Sequence, residues 1–135
     1  MEAVAAICAD TDIIVDYLRG REPGRTAYRM WRGRVEVFLT TISAFELLMG
    51  AQLSSRRAER MTEVMSLLEQ HPVLTFDTDG AEEAAKKGSE LRKIGATIEI
   101  RDLFNGAICL SKGLPILTKN KAHYERIIGL TVISP

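Results

Sequence analysis

The sequence predicts an α/β domain built on a parallel sheet, and three observations carry that reading. Five short apolar segments, starting at Val4, Val35, Val73, Ile116 and Leu130, have the length and character of strands. Helical patterns separate them, which is the arrangement of βα units rather than of hairpins. The first segment runs through Ile7 and Cys8 and then meets Asp10, Asp12 and Asp16, so a buried strand opens abruptly into a polar site.

The elements justify themselves in order. Ile13 to Leu18 is long enough for a short helix, closed by Gly20. Asp12 and Asp16 are four residues apart and share a helix face. Like charges this close need a cation, a proton or solvent. In the plain structural account Asp10 is the helix N-cap, Asp12 complements the helix dipole and Asp16 is solvated. Arg21-Glu22-Pro23-Gly24 is a turn, and Arg25 to Arg34 is a helix. Ala27, Tyr28, Met30 and Trp31 supply its apolar surface, while Arg25, Arg29 and Arg32 form a stripe. Such a stripe is either a solvated face or a phosphate contact.

Val35 to Thr40 is the second strand. Ser43 and Glu46 then form the S-x-x-E pattern of a capping box, which gives Glu46 a structural role. Glu46 also stands in the first turn of a helix that follows a strand, again at the carboxyl end of a parallel sheet. Arg56 to Gln70 is the next helix, stopped by Pro72, and Val73 to Phe76 is the third strand. A helix from Ala81 to Ile94 is started by Asp77, Thr78 or Asp79 and ended by Gly95. Arg101 to Lys112 is a largely apolar helix with Asp102 in its first turn. Ile116 to Thr118 is a strand, Lys119-Asn120-Lys121 opens a short helix, and Leu130 to Ile133 is the last strand.

Composition narrows the class. The chain has 135 residues, the size of one domain, and can bury a full core without staples. Eighteen basic and eighteen acidic residues cancel, so any nucleic-acid surface must be a local patch. Cys8 and Cys109 are isolated in apolar surroundings and read as buried thiols. His71 and His123 are too few and too far apart to suggest zinc. Glu2 in place of a basic cluster, with no long apolar run, argues against secretion or membrane insertion. The expected compartment is the cytoplasm.

Three acids occupy equivalent places. Asp10 ends the first strand, Glu46 opens the helix after the second, and Asp102 opens the helix before the fourth. Asn120 follows the fourth strand directly. If these strands are neighbours, the side chains converge on one sheet edge. Carboxylates with few histidines and no thiols are hard-oxygen ligands, suited to Mg²⁺ or Mn²⁺. Such sites hydrolyse phosphodiesters.

Three segments carry a family resemblance. They are A-D-T-D-I-I-V-D-Y-L-R-G at the start, I-S-A-F-E-L-L-M-G-A in the middle and, near the end, D-L-F-N-G-A-I-C-L-S-K-G-L-P-I-L-T-K-N-K-A-H-Y-E-R-I-I-G-L. Their order and spacing resemble those of the PIN-domain ribonucleases, and within them the VapC-type toxins of toxin–antitoxin pairs. The resemblance places the family's three acids at Asp10, Glu46 and Asp102, as metal-holding residues. Its fourth acidic position falls on Asn120, a neutral residue, and its nearby hydroxyl residues fall on Thr11, Ser43 and Thr118. Asp12 stands where the family often has asparagine. The resemblance implies an α/β/α sandwich of three layers with a five-stranded parallel sheet. It also implies endoribonuclease activity dependent on Mg²⁺ or Mn²⁺, a homodimer, and inhibition by a partner antitoxin. A catalytically weak PIN-fold protein that binds RNA or antitoxin is the alternative.

Two rivals fit less well. A haloacid dehalogenase-type phosphatase would use Asp10-Thr11-Asp12 as its D-x-D, but it wants Thr or Ser where this chain has Ile14. A receiver domain would use Lys119, but it needs strict strand–helix alternation. Here helices from Ser43 and from Arg56 both lie between strands two and three.

Overall fold

The computed structural model describes residues 4–135, so Glu2 lies outside the described part. The chain order is β1 (Ala6–Ala9), α1 (Thr11–Arg19), α2 (Gly24–Arg32), β2 (Glu36–Thr40), α3 (Thr41–Gln52), α4 (Arg57–Glu69), β3 (Val73–Leu74), α5 (Thr78–Lys93), α6 (Ile100–Ser111), β4 (Ile116–Leu117), α7 (Lys121–Tyr124) and β5 (Val132–Ile133). The five strands form one sheet in the order β3-β2-β1-β4-β5. Every pairing is parallel: Ile7 lies beside Val37, Ala9 beside Leu117, Leu39 beside Val73 and Ile116 beside Val132.

The strand alternation sorts the core into two layers around the sheet. Ile7 and Ala9 face one way, onto Ile13, Tyr28, Leu47 and Val64 from α1 to α4. Cys8 faces the other way, onto Cys109, Tyr124 and Ile127. Helix α5 packs on α6 through Ala84, Leu103 and Ala107. The result is the three-layer α/β/α sandwich with a five-stranded parallel sheet. Both cysteines are free and buried, as their surroundings in the sequence suggest. No helix among the described residues is long and apolar enough to cross a membrane.

The topology fixes where a site belongs. From central β1 the chain winds outward through β2 to β3, then returns to β4 and β5 on the other side. The crevice at the carboxyl end of β1 is therefore the topological switch point, where open α/β sheets bind ligands.

Several boundaries differ from the sequence reading. Helix α1 begins at Thr11, directly after its N-cap Asp10. Strand β3 stops at Leu74, because the chain turns toward the Asp77 cap of α5. The capping box at Ser43 and Glu46 does not form. Thr40 is the N-cap of α3, and its hydroxyl accepts from the Ser43 amide at 3.1 Å. Ser43 is thus already the third helical residue, and Glu46 is freed from any capping role.

Candidate active site

Asp10 is the centre of the site. It is 6% exposed, at the end of β1, and both carboxylate oxygens are addressed. The Thr11 amide donates to Oδ1 at 2.9 Å and the Asn105 amide nitrogen at 3.1 Å. The Thr118 hydroxyl donates to Oδ2 at 2.8 Å. Burial, and then the charge of Asp12, push the Asp10 carboxyl up to about 7. Its donors pull the other way and do not overcome those effects.

Asp102 approaches from α6. The Tyr124 hydroxyl lies 3.2 Å from Asp10 Oδ1 and 3.3 Å from Asp102 Oδ1, so one proton serves two carboxylates. His123 Nδ1 lies 3.4 Å from the other Asp102 oxygen. Glu46 approaches from α3, where the Thr11 hydroxyl contacts Glu46 Oε1 and Ser43 Oγ, each at 2.9 Å. The second Glu46 oxygen accepts from the Arg101 guanidinium. Asp10, Glu46, Asp102, Thr11, Ser43 and Thr118 therefore belong to one connected network. Asn120 stands apart: its side chain is exposed, and only its amide joins in, donating to Thr118 Oγ1 at 2.9 Å.

The two other acids of α1 part company. Asp16 is not solvated, in contrast to the plain sequence account. It is 4% exposed, accepts from the Gly24 amide at 3.0 Å and pairs with Lys119 Nζ at 3.0 Å. A side chain at position 24 would press a Cβ to 2.5 Å from Asp16 Cβ, so the glycine is what lets the backbone reach the carboxylate. Asp12 faces inward beside Asp10. Its Oδ2 accepts from the Lys119 amide at 3.1 Å, while Oδ1 is buried with no hydrogen-bond partner. Burial is the first cause that raises its carboxyl above the ordinary range.

Sequence reasoning missed Thr40, Asn105, Tyr124, Arg101 and the pairing role of Lys119. Asn105 is 1% exposed, accepts from the Thr40 hydroxyl and donates to Asp10. Its one signal was spacing: it is the sole amide within an apolar run, three residues after Asp102 on the same face.

The arrangement concentrates carboxylates in a crevice where Asp10 carries a raised pKa and Asp12 an orphaned oxygen. A buried acceptor without a donor is met by a proton, a water or a cation. The donor set is carboxylate oxygen throughout, which fits Mg²⁺ or Mn²⁺. Among the described residues no three acidic, imidazole or thiol groups are already arranged to hold a metal ion. The Arg101 guanidinium pairs with the second Glu46 oxygen.

Comparison with known proteins agrees with this fold. The profile of the PIN domain family matches residues 7–128. A ribonuclease VapC from Rickettsia bellii is 27% identical over 131 residues, which is 95% of each chain. A tRNA(fMet)-specific endonuclease VapC from Shigella flexneri is 23% identical over 121 residues, 90% of this chain and 91% of its own. The structure of VapBC-1 from nontypeable Haemophilus influenzae aligns with a TM-score of 0.84 at 25% identity, covering 96% of this chain and 97% of that one. VapBC2 from Rickettsia felis, bound to a promoter DNA fragment, aligns at 0.86 with 16% identity, covering 96% and 98%. With a parallel five-stranded sheet, acids gathered at its switch point and a profile match over nearly its whole length, the chain belongs to the PIN domain family, and its relatives are of the VapC type.

Proposed function

We propose that this chain is a metal-dependent endoribonuclease, the toxin of a toxin–antitoxin pair, acting as a single PIN domain in the cytoplasm. The observation that carries it is the orphaned Asp12 oxygen beside a buried Asp10 whose carboxyl is pushed up to about 7. Four carboxylates share one crevice, and like charges this close need a cation, a proton or solvent. Asp10, Glu46 and Asp102 would hold the ion, with Asp12 adding the fourth oxygen that Asn120 does not supply. Bound there, a divalent ion stabilises charge on the phosphate and activates water.

The chain's own residues set the stage. Thr118 and Asn105 fix the Asp10 carboxylate from two sides, so its rotamer is settled before any ligand arrives. Tyr124 ties Asp10 to Asp102 and holds α6 at the correct distance from β1. Thr11 orients Glu46 through Oε1 and leaves the other oxygen to a cation. Three elements thus meet at one point, each pinned by a hydrogen bond.

The partners follow from the same reading. RNA is the substrate. The solved neighbours include VapBC complexes, which supports an antitoxin protein as partner here. The active form is a homodimer. The test is Asp10→Asn assayed on RNA with Mg²⁺ or Mn²⁺. Cleavage falls at least a hundredfold, on the order expected when a metal-holding group is lost. The fold survives, because a buried like-charge repulsion goes with it. EDTA stops the parent, and Mn²⁺ restores it. A variant that cleaves as well as the parent with metal present refutes the assignment.

A further inference from the structure

Arg101 belongs neither to the acids nor to the core. It is the second residue of α6 and precedes Asp102. Its Nη1 donates to Glu46 Oε2, and its Nη2 donates to Glu99 Oε2 at 2.9 Å. The arginine side chain is 52% exposed, Glu99 is 64% exposed and Glu46 only 18%. One end of the guanidinium therefore reaches into the crevice, and the other lies at its mouth.

An exposed ion pair is usually worth little. This one differs in its partner. Glu46 Oε1 already takes the Thr11 hydroxyl, so Oε2 is the oxygen left to face a cation. In this arrangement Arg101 occupies it. The nearby lysine is committed elsewhere: Lys119 Nζ pairs with buried Asp16. Arg101 is thus a cationic side chain seated on one of the acids and open to solvent, within reach of a phosphate that approaches them. Its planar fork matches two phosphate oxygens, as a lysine's point charge does not.

We propose that Arg101 is a substrate-binding residue that alternates between Glu46 and an RNA phosphate. It rests on Glu46 while the acids hold no ion. A divalent cation among the acids repels the guanidinium and takes Glu46. Arg101 then stays tethered at the mouth by Glu99 and turns to the incoming phosphate. No bond is made or broken; one ion pair exchanges for another. The proposal rests on the nuclease reading and adds to it a residue that meets the substrate.

The exchange makes two opposite predictions for Arg101→Ala. Mn²⁺ binding without RNA, followed by calorimetry, tightens about three- to tenfold, because a competitor for Glu46 is gone. Binding of a labelled single-stranded oligoribonucleotide weakens roughly tenfold, measured on an Asp10→Asn background at saturating Mn²⁺. Its log–log salt slope falls by about 0.7, the share of one phosphate contact on a single strand. Arg101→Lys recovers part of the RNA binding but not the fork. Unchanged RNA affinity and slope in Arg101→Ala overturn the substrate role. Unchanged or weaker Mn²⁺ binding overturns the exchange. In either case the parent still binds Mn²⁺ and cleaves RNA, so the nuclease reading stands. A parent that does neither removes both.

Discussion

Asp12 and Asp16 lie one turn apart on α1, and the sequence offers no way to rank them. The structure separates them by their partners. Asp16 is buried but complete: the Gly24 amide takes one oxygen and the Lys119 ammonium the other. Asp12 is incomplete, with one oxygen on the Lys119 amide and one on nothing. Lys119 thus serves both acids, by its side chain for the structural one and by its backbone for the other. A buried acid whose partners are all present is holding the fold. A half-buried acid with one unpartnered oxygen is open to a proton, a water or a cation.

The sharpest way to break this contrast is to exchange the two defects. Asp16→Ala leaves a buried amide unmet and Lys119 without its partner. Urea unfolding should show a loss of about 2–4 kcal/mol. Mn²⁺ affinity, measured on the folded fraction, should change little. Asp12→Asn should do the reverse. Stability holds or rises as a charge leaves the neighbourhood of Asp10, and Mn²⁺ affinity falls about ten- to a hundredfold. If Asp12→Asn unfolds the protein while Asp16→Ala weakens only the metal, the two roles are inverted.

The second test uses pH. The Asp10 carboxyl has an ordinary value of 3.8 and is pushed up to about 7 in the fold. Between those values the folded chain keeps a proton that the unfolded chain has lost, so stability falls as pH rises. The contribution of Asp10 is fully present below 3.8 and gone once pH has passed about 7. Asp12 is raised as well and adds in the same direction. In EDTA, the loss in unfolding free energy from pH 5 to pH 8 is on the order of 2–4 kcal/mol. Asp10→Asn flattens the slope, and Mg²⁺ at pH 8 restores stability to the parent. A parent with no slope across this window overturns the raised Asp10 carboxyl.

What the sequence makes legible is local. An apolar run that breaks into Asp10, or a helix that opens at Asp102, is visible in a few neighbouring letters. Five strands in a parallel sheet follow from the same kind of pattern, but their order does not. The network that joins the acids is not local. Arg101 and Glu46 are 55 residues apart, and Tyr124 and Asp10 are 114 apart. Asn105 sits among apolar residues, where a polar side chain reads as a tolerated core position, and Tyr124 sits among His123, Glu125 and Arg126, where it reads as a surface residue. The Ser43 and Glu46 pattern misleads for a different reason. Thr40 and Ser43 have the same three-residue spacing, and only the end of β2 decides which pair makes the cap.

A third test concerns Asn120, the neutral residue at the family's fourth acidic position. Its side chain is exposed and makes no capping bond, while Asp12 already points a free oxygen inward. Asn120→Asp therefore adds a solvated charge. The metal concentration for half-maximal cleavage should fall only about two- to fivefold, less than a direct ligand would bring. A shift of a hundredfold would make position 120, and not Asp12, the fourth ligand.

The smallest expected effect lies on α2, where the arginine stripe divides in the same way as the aspartates. Arg32 has partners: its guanidinium donates to Gln70 Oε1 at 2.8 Å and lies 5.7 Å over the Tyr28 ring. Arg25 and Arg29 make no side-chain hydrogen bond among the described residues. The partner rule then assigns Arg32 to the fold and leaves Arg25 and Arg29 free to meet phosphate. Replacing Arg25 and Arg29 together with Gln should lower the salt slope of RNA binding by up to about 1.4, or about 0.7 for each phosphate no longer neutralised. Arg32→Gln should leave the slope alone and cost about 0.5–1 kcal/mol in unfolding, the worth of a cation–π interaction and an exposed hydrogen bond. An equal change of slope from all three would mean that the stripe acts as one diffuse field. No slope change from Arg25 and Arg29 would make it a solvated face, and the rule that separates Asp12 from Asp16 would hold only for buried groups.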